Sequence, residues 1–212
     1  MERSLRAAEL MRLEQATRAF PERPVAEHLV KVLIEHGTDS FFYFDQASFL
    51  SELSDFYTDS HTSLRYNAGF VCLALAAFAL GSQWTGLHGG TTSPSSQVEN
   101  TELLGKTCYE QARLLIPDLD DVLSLASIQA PFILGVYLLP ARATGSLHMY
   151  LGLALRKAMA IDLHVRADAT IYSEQQIEIR SRLWWAIYSL ERSASTLRPG
   201  TMTRVDFVSV EH

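Results

Sequence analysis

Apolar residues recur every three to four positions over long stretches of this chain, the period of helices that turn one face inward. From Arg3 to Phe20 the residues Leu5, Leu10, Leu13, Ala16 and Phe20 keep that spacing, and "PERP" at Pro21 to Pro24 breaks it. Pro24 suits the first turn of a second helix, in which Val25, Leu29, Val32 and Leu33 recur at helical intervals. Gly37 ends that helix, and "EHGTDSFFYFD" predicts an extended, aromatic-rich crossing to a short helix capped by Asp45 and carrying Phe49, Leu50 and Leu53. "AGFVCLALAAFALG", Ala68 to Gly81, is apolar nearly all round, so it predicts a central helix rather than a surface one. "SQWTGLHGGTTSPSSQVEN" interrupts the pattern with Gly, Ser, Thr and Pro and predicts an exposed loop at about 82–100.

Helical spacing resumes from Glu102 to Ile116 and stops at Pro117. In "PDLDDVLSLASIQAPFILGVYLLP" the aspartates suit a helix N-terminus, and Pro131 predicts a kink inside the apolar run. After Gly145, one face is lined by Leu147, Tyr150, Leu151, Ala154, Leu155 and Ala158. Gly152, Ala154 and Ala158 are small enough to admit a neighbouring helix closely. A last helix runs from Glu174 to about Thr196, with Ile177, Leu183, Trp184, Ile187 and Leu190 as its apolar stripe. Only Thr203 to Val210 alternates as a strand would. Helices joined by loops, without βα alternation, predict an all-α fold: an irregular multi-helix bundle.

Composition narrows the function classes. With 48% apolar residues over 212 positions, a sizeable core can be buried. The net charge of −6 argues against this chain alone clamping a phosphate backbone. Cys72 and Cys108 form no CxxC pair, which excludes a zinc finger and a thioredoxin motif and fits free buried thiols in a reducing compartment. The N-terminus has no apolar signal region, and the longest apolar run falls short of the roughly 20 residues that cross a bilayer. A soluble, intracellular protein is expected.

Candidate chemistry is sparse. "PDLDDVLSL" invites comparison with the aspartate-rich magnesium motif of helical prenyl-transferring enzymes, but Ser124 stands where the next carboxylate should be. Asp120 and Asp121 therefore read as helix caps. "GLHGGTTSPSS" lacks the Lys-Ser/Thr of a phosphate loop. His148 and His164 read as packed or capping residues, and His164 is placed to meet the C-terminal carbonyls of the helix before it.

"RSRLWWAIYSLERSASTLRPG", Arg180 to Gly200, is richer. Trp184 and Trp185 project about 100° apart on a helix, so one can enter the core while the other flanks it. Arg192 falls on the Tyr188 side, near enough to stack on a ring, and Arg198 can offer its fork to a carboxylate or to orphan carbonyls. Charges flanking such a core helix read as a structural latch.

The order of these features resembles the middle homology region, or fungal-specific transcription factor domain, of the fungal zinc-cluster transcription factors. The Pro-led helix and aromatic turn "PVAEHLVKVLIEHGTDSFFYFDQASFL" match it, as do "AGFVCLALAAFALG" and "SLASIQAPFILGVYLL". The most specific matches are "MYLGLALRKAMAIDLHVR", against a family "y.g.A.r.A...gLH" pattern, and "EIRSRLWWAIYSLERSASTLRPG", against "E.rrRlWW.ly.lDr..s...GRP". The motif positions are Tyr150, Gly152, Ala154, Ala158, Leu163, His164, Arg180, Arg182, Trp184, Trp185, Glu191, Arg192, Arg198 and Pro199. Three residues depart from the pattern: Asp162 for the glycine of "GLH", Glu191 for an aspartate, and Leu197 for the glycine of "GRP".

The resemblance implies a helical extension at 1–20 and a regulatory domain at 21–212 that is C-terminally incomplete, a truncated version of the family's larger helical domain. It implies a nuclear, non-catalytic regulator of RNA polymerase II transcription, working with co-regulators or a small-molecule effector, with homo-oligomerisation left open. No cofactor is expected here. Zinc and DNA contact belong to the family's six-cysteine module, which two cysteines cannot build. The competing readings are a helical enzyme or small-molecule-binding bundle, and a truncated dimerisation module.

Overall fold

The structure, a computed structural model, describes residues 7–85, 95–141 and 144–196. It is all-α: among the described residues there is no strand. The helices are α1 (Ala7–Arg18), α2 (Arg23–Val32), α3 (Gln46–Thr58), α4 (Ala68–Ser82), α5 (Ser95–Leu115), α6 (Leu125–Tyr137), α7 (Thr144–Ala160) and α8 (Glu174–Thr196). A π-turn at Leu33–Gly37 prolongs α2, and 3-10 turns occupy Ser63–Tyr66 and Ile116–Leu119. Of the loop expected at about 82–100, the residues from Ser95 onward belong to α5, and residues 86–94 lie outside the described residues. The strand-like segment Thr203 to Val210 lies outside the described residues.

Helix α4 has no polar face to show to water, so the fold surrounds it. Asn67 caps its N-terminus by accepting from the Phe70 N–H at 3.1 Å, and every residue from Gly69 to Ser82 is buried. Helices α2, α5 and α6 pack around it, α7 covers α6, and α8 lies on α7. Each large side chain removed from water contributes about 1.5–3 kcal/mol. Phe70, Phe78, Leu75 and Leu80 are among those fully enclosed.

Small residues set the spacing. A Cβ on Gly81 would stand 2.3 Å from the Leu29 carbonyl oxygen, so α2 and α4 meet backbone to backbone. A Cβ on Gly105 would stand 1.8 Å from the Ser82 hydroxyl, which is itself bonded to Ala79 O. On the far side of α6, Gly135 admits Leu151 of α7, whose Cδ2 would lie 2.8 Å from an added Cβ. Gly152, expected to allow such an approach, has nothing within 4 Å of its Cβ position. It sits off the α6-facing side, and of the three small residues only Ala154 and Ala158 are buried.

The aromatic crossing after α2 is a plug rather than a surface turn. Phe41 meets Phe132 of α6 edge-on at 6.0 Å, Tyr43 approaches the same ring at 5.9 Å, and Phe44 stacks on Phe49 at 4.2 Å. Asp45 caps α3, accepting from the Ser48 N–H at 2.9 Å. Phe49, Leu53 and Phe56 form the inner face of α3, whereas Leu50, and Val25 on α2, are exposed.

Helix α1 is tied down by charge. Arg12 gives Asp118 a two-pronged ion pair, Nε to Oδ2 at 2.9 Å and Nη2 to Oδ1, and the Asp118 side chain is only 5% exposed. Such a fork matches a carboxylate in both geometry and charge. The aspartates do not cap α6, contrary to the sequence expectation. The 3-10 turn leaves Asp120 and Asp121 short of the helix start, and Ser124 and Ser127 form a reciprocal capping box instead. Helix α6 continues unbroken through Pro131.

Two glycine substitutions should separate these environments in urea unfolding. Gly81→Ala is expected to lose about 1–3 kcal/mol through forced separation of α2 and α4. Gly152→Ala should gain up to about 1 kcal/mol, because a mid-helix glycine in open space costs only entropy. Asp45 gives a pH signature. Its carboxyl is held below the usual carboxylate range by the Ser48 N–H and then the Ser48 hydroxyl. The folded value lies below the unfolded one, so the cap stabilises fully above about pH 4 and is lost as pH falls through the folded value. Asp45→Ala should cost about 0.5–1 kcal/mol at pH 7 and progressively less as the pH is lowered into the acid range, read by urea titration at a series of pH values.

Candidate regulatory site at the α7–α8 junction

The α7 chain end shows how this junction is built. After Ala160 the backbone makes two reversed bonds, Leu163 N–H to Ala158 O at 2.9 Å and Asp162 N–H to Met159 O at 3.1 Å. These are the 6→1 and 5→2 bonds of a Schellman motif, closed by the apolar pair Ala158 and Leu163, both buried. The motif needs a left-handed residue between them, and Asp162 supplies it with φ 56°. This is the position at which the sequence pattern led one to expect glycine. Aspartate tolerates the conformation better than most residues, though not as well as glycine. The chain therefore ends α7 in the glycine-type geometry despite the departure.

The carbonyl of Ile161, left over by this turn, is taken by Arg180 of α8 through Nη2 at 2.7 Å. The same guanidinium lies over the Tyr172 ring at 4.4 Å, while its Nε is buried without an acceptor. Arg182 lies over Phe42 of the aromatic crossing at 4.4 Å and keeps Glu178 at 3.9 Å. One arginine thus fastens α8 to the end of α7, and the other to the segment between α2 and α3.

The tryptophans divide as a 100° offset requires. Trp184 is half-buried, with the His164 ring at 5.7 Å on one side and Tyr188 stacked at 5.5 Å on the other. His164 therefore packs against an aromatic ring, and the described bond to a carbonyl at the end of α7 comes from Arg180. Trp185 is 59% exposed and meets Tyr188 edge-on at 5.9 Å. Arg192 lies over Tyr188 at 6.0 Å, the outer limit of a cation–π contact. Glu191 accepts from the Ser195 hydroxyl at 2.9 Å. Arg198 and Pro199 lie outside the described residues.

On α7, Ala154 and Ala158 are fully buried, and Tyr150 is half-buried with its phenol pushed up to about 12 by desolvation. Sequence reasoning missed Lys157. It is only 6% exposed and donates to Leu119 O at 2.7 Å and Asp120 O at 3.2 Å, closing the 3-10 turn that carries Asp118. Desolvation lowers its pKa, partly offset by Asp120 and Asp121. Its position between Ala154 and Ala158, on the helix's inner face, was the available signal. Phe42, the ring under Arg182, had none, since that contact joins distant segments, whereas Tyr172, under Arg180, sits in the loop just before α8.

Both thiols are buried and free. Cys72 donates to Ala112 O at 3.2 Å, and burial pushes Cys108 up to about 12. Among the described residues no group of three or more His, Cys, Asp or Glu side chains is placed to hold a metal ion. No described helix is long and apolar enough to cross a membrane.

An all-α bundle whose last two helices are joined by arginine and tryptophan contacts has a counterpart among known families. The profile of the fungal-specific transcription factor domain matches residues 38–197, and the chain belongs to that family. Among curated proteins it is 30% identical over 189 residues to an uncharacterized transcriptional regulatory protein of Schizosaccharomyces pombe, covering 88% of this chain and 23% of that one. It is 25% identical over 183 residues to the thiamine repressible genes regulatory protein of the same yeast, covering 86% and 23%. It is 28% identical over 174 residues to activator of stress genes 1 of Saccharomyces cerevisiae, covering 81% and 18%. The chain spans less than a quarter of the length of these relatives. No solved structure matches it.

The junction makes two expectations. Asp162→Gly should raise stability by about 0.5–1 kcal/mol by relieving the left-handed residue. Arg180→Met should lower it by about 1.5–3 kcal/mol, the range for a hydrogen bond to a charged group. Thermal and urea unfolding of both variants check the signs, and equal destabilisation by both would contradict the motif described.

Proposed function

We propose that this chain is the regulatory region of a fungal transcription factor, acting in the nucleus without catalysis and setting the output of a DNA-binding module that it does not itself contain. The family match across residues 38–197 carries this reading. The junction geometry supports it: the motif residues Arg180, Arg182 and Trp184 are spent on a carbonyl, on rings and on packing, as a latch between helices requires. A ligand, co-regulator or second copy that binds one packing of α8 on α7 better than another would shift the population between them. The reading is in keeping with the relatives' names, a regulator of thiamine-repressible genes and an activator of stress genes in their own organisms.

The reading is tested with a reporter in a yeast host. A heterologous DNA-binding module and activation segment are joined with and without this chain between them. The chain is expected to change reporter output several-fold, and Arg180→Met or Trp184→Ala is expected to move that output back toward the chain-free level. Equal output with and without the chain, at matched protein levels, would remove the regulatory assignment.

A further inference from the structure

Under α1, on the side away from Asp118, the packing opens into a cleft of about 190 Å³ lined by Leu10, Leu13, Glu14, Arg18, Arg65 and Tyr66 among others. Arg65 is the unusual member. It is half-buried, it lies over the Phe56 ring at 4.5 Å, and its Nη2 donates to the Phe56 carbonyl at 3.0 Å. Its Nε is shut away from water with no acceptor. Among the described ion pairs none involves Arg65, and the carboxylate that lines the same cleft, Glu14, faces Arg18 at 4.0 Å. The Arg65 Nε has lost water and gained no acceptor, so that donor is under-compensated.

We infer that this cleft is a binding site for a small organic monocarboxylate with a short apolar body. The carboxylate would complete the donor set of Arg65, with a modest swing of that half-exposed side chain. Leu10, Leu13 and the exposed Tyr66 ring would flank the apolar body. Arg18 at the rim adds a second cation when Glu14 turns away. The cleft is smaller than the roughly 300–1,000 Å³ of sites for drug-sized ligands, which restricts the guest to about the size of benzoate. One wall belongs to α1, ahead of the family-matched residues 38–197, and the other to the turn Ser63–Tyr66 within them. The site stands on this geometry and not on the regulatory reading, and binding is measured without any transcriptional readout.

The test is a titration of the full 212-residue chain with sodium benzoate, followed by amide chemical shifts in ¹⁵N–¹H spectra. Amides in α1 and in the Ser63–Tyr66 turn should shift and saturate at about millimolar concentration, as befits so small a ligand. Benzamide and inorganic phosphate, which each lack half of the recognised chemistry, should leave them in place. Arg65→Gln should weaken benzoate at least about tenfold. Since that substitution also removes the Phe56 contact, Leu10→Trp provides a second variant that fills the cleft while keeping Arg65, and it should abolish the shifts with the α4 amides unmoved. Glu14→Gln should tighten binding. Absence of shifts at about twentyfold higher benzoate, equal response to phosphate or benzamide, or persistence of the response in Leu10→Trp would each overturn the site.

Discussion

A helix that is apolar on every side has to be enclosed on every side, and α4 imposes that requirement on the rest of the chain. Fourteen consecutive residues, Gly69 to Ser82, are hidden, so no single partner helix suffices, and α2, α5 and α6 each take part of its circumference. The backbones come close where glycine permits: Gly81 under Leu29, and Gly105 beside Ser82. Polar groups are kept at the ends, with Asn67 closing the N-terminus and Ser82 turning its hydroxyl back to Ala79 O. The remaining architecture is a set of layers added outward from this rod.

Those layers are fastened by cations more than by ion pairs. Arg12 meets a carboxylate, but Lys157, Arg65 and Arg180 each reach for carbonyl oxygens in a turn or near a helix end. A carbonyl at the end of a helix carries the negative pole of its dipole, so a guanidinium or ammonium is well placed there. Arg65 and Arg180 add an aromatic ring beneath the fork, which tolerates burial better than a bare ammonium would. The charge of α8 thus has a mechanical use: Arg180 and Arg182 join it to the end of α7 and to the aromatic crossing. These are the interactions on which a change of packing would act.

Much of this was legible in the residues. The uniform apolarity of Ala68 to Gly81 announced a central rod, and Glu174 to Thr196 emerged as one helix with its two tryptophans divided between interior and surface. Asp45 was readable as a cap because a short polar residue preceded an apolar period. What escaped reading was set by three-dimensional context. Asp120 and Asp121 stop short of α6 because a 3-10 turn intervenes, anchored through Asp118 to Arg12, 106 positions earlier, so the N-terminal cap falls to Ser124. Gly152 looked like a packing residue because it shares a helix with Ala154 and Ala158, yet its own bearing on that helix points elsewhere, and Gly135 on the facing helix makes the close contact. Ser95 to Asn100 joined a helix although their composition favours loops, since propensity is a weak prior.

The order of the layers has one further consequence. Over the last three helices each rod rests mainly on an earlier one, α6 on α4, α7 on α6 and α8 on α7, so from α6 onward the order along the chain is also the order of depth. A pull at the far end of α8 would peel the stack from outside inward, freeing Arg180 and Arg182 first and leaving the sealed rod at the centre until last. Such a molecule can yield at its rim in small steps while its interior stays shut, a grading of compliance that follows from topology alone.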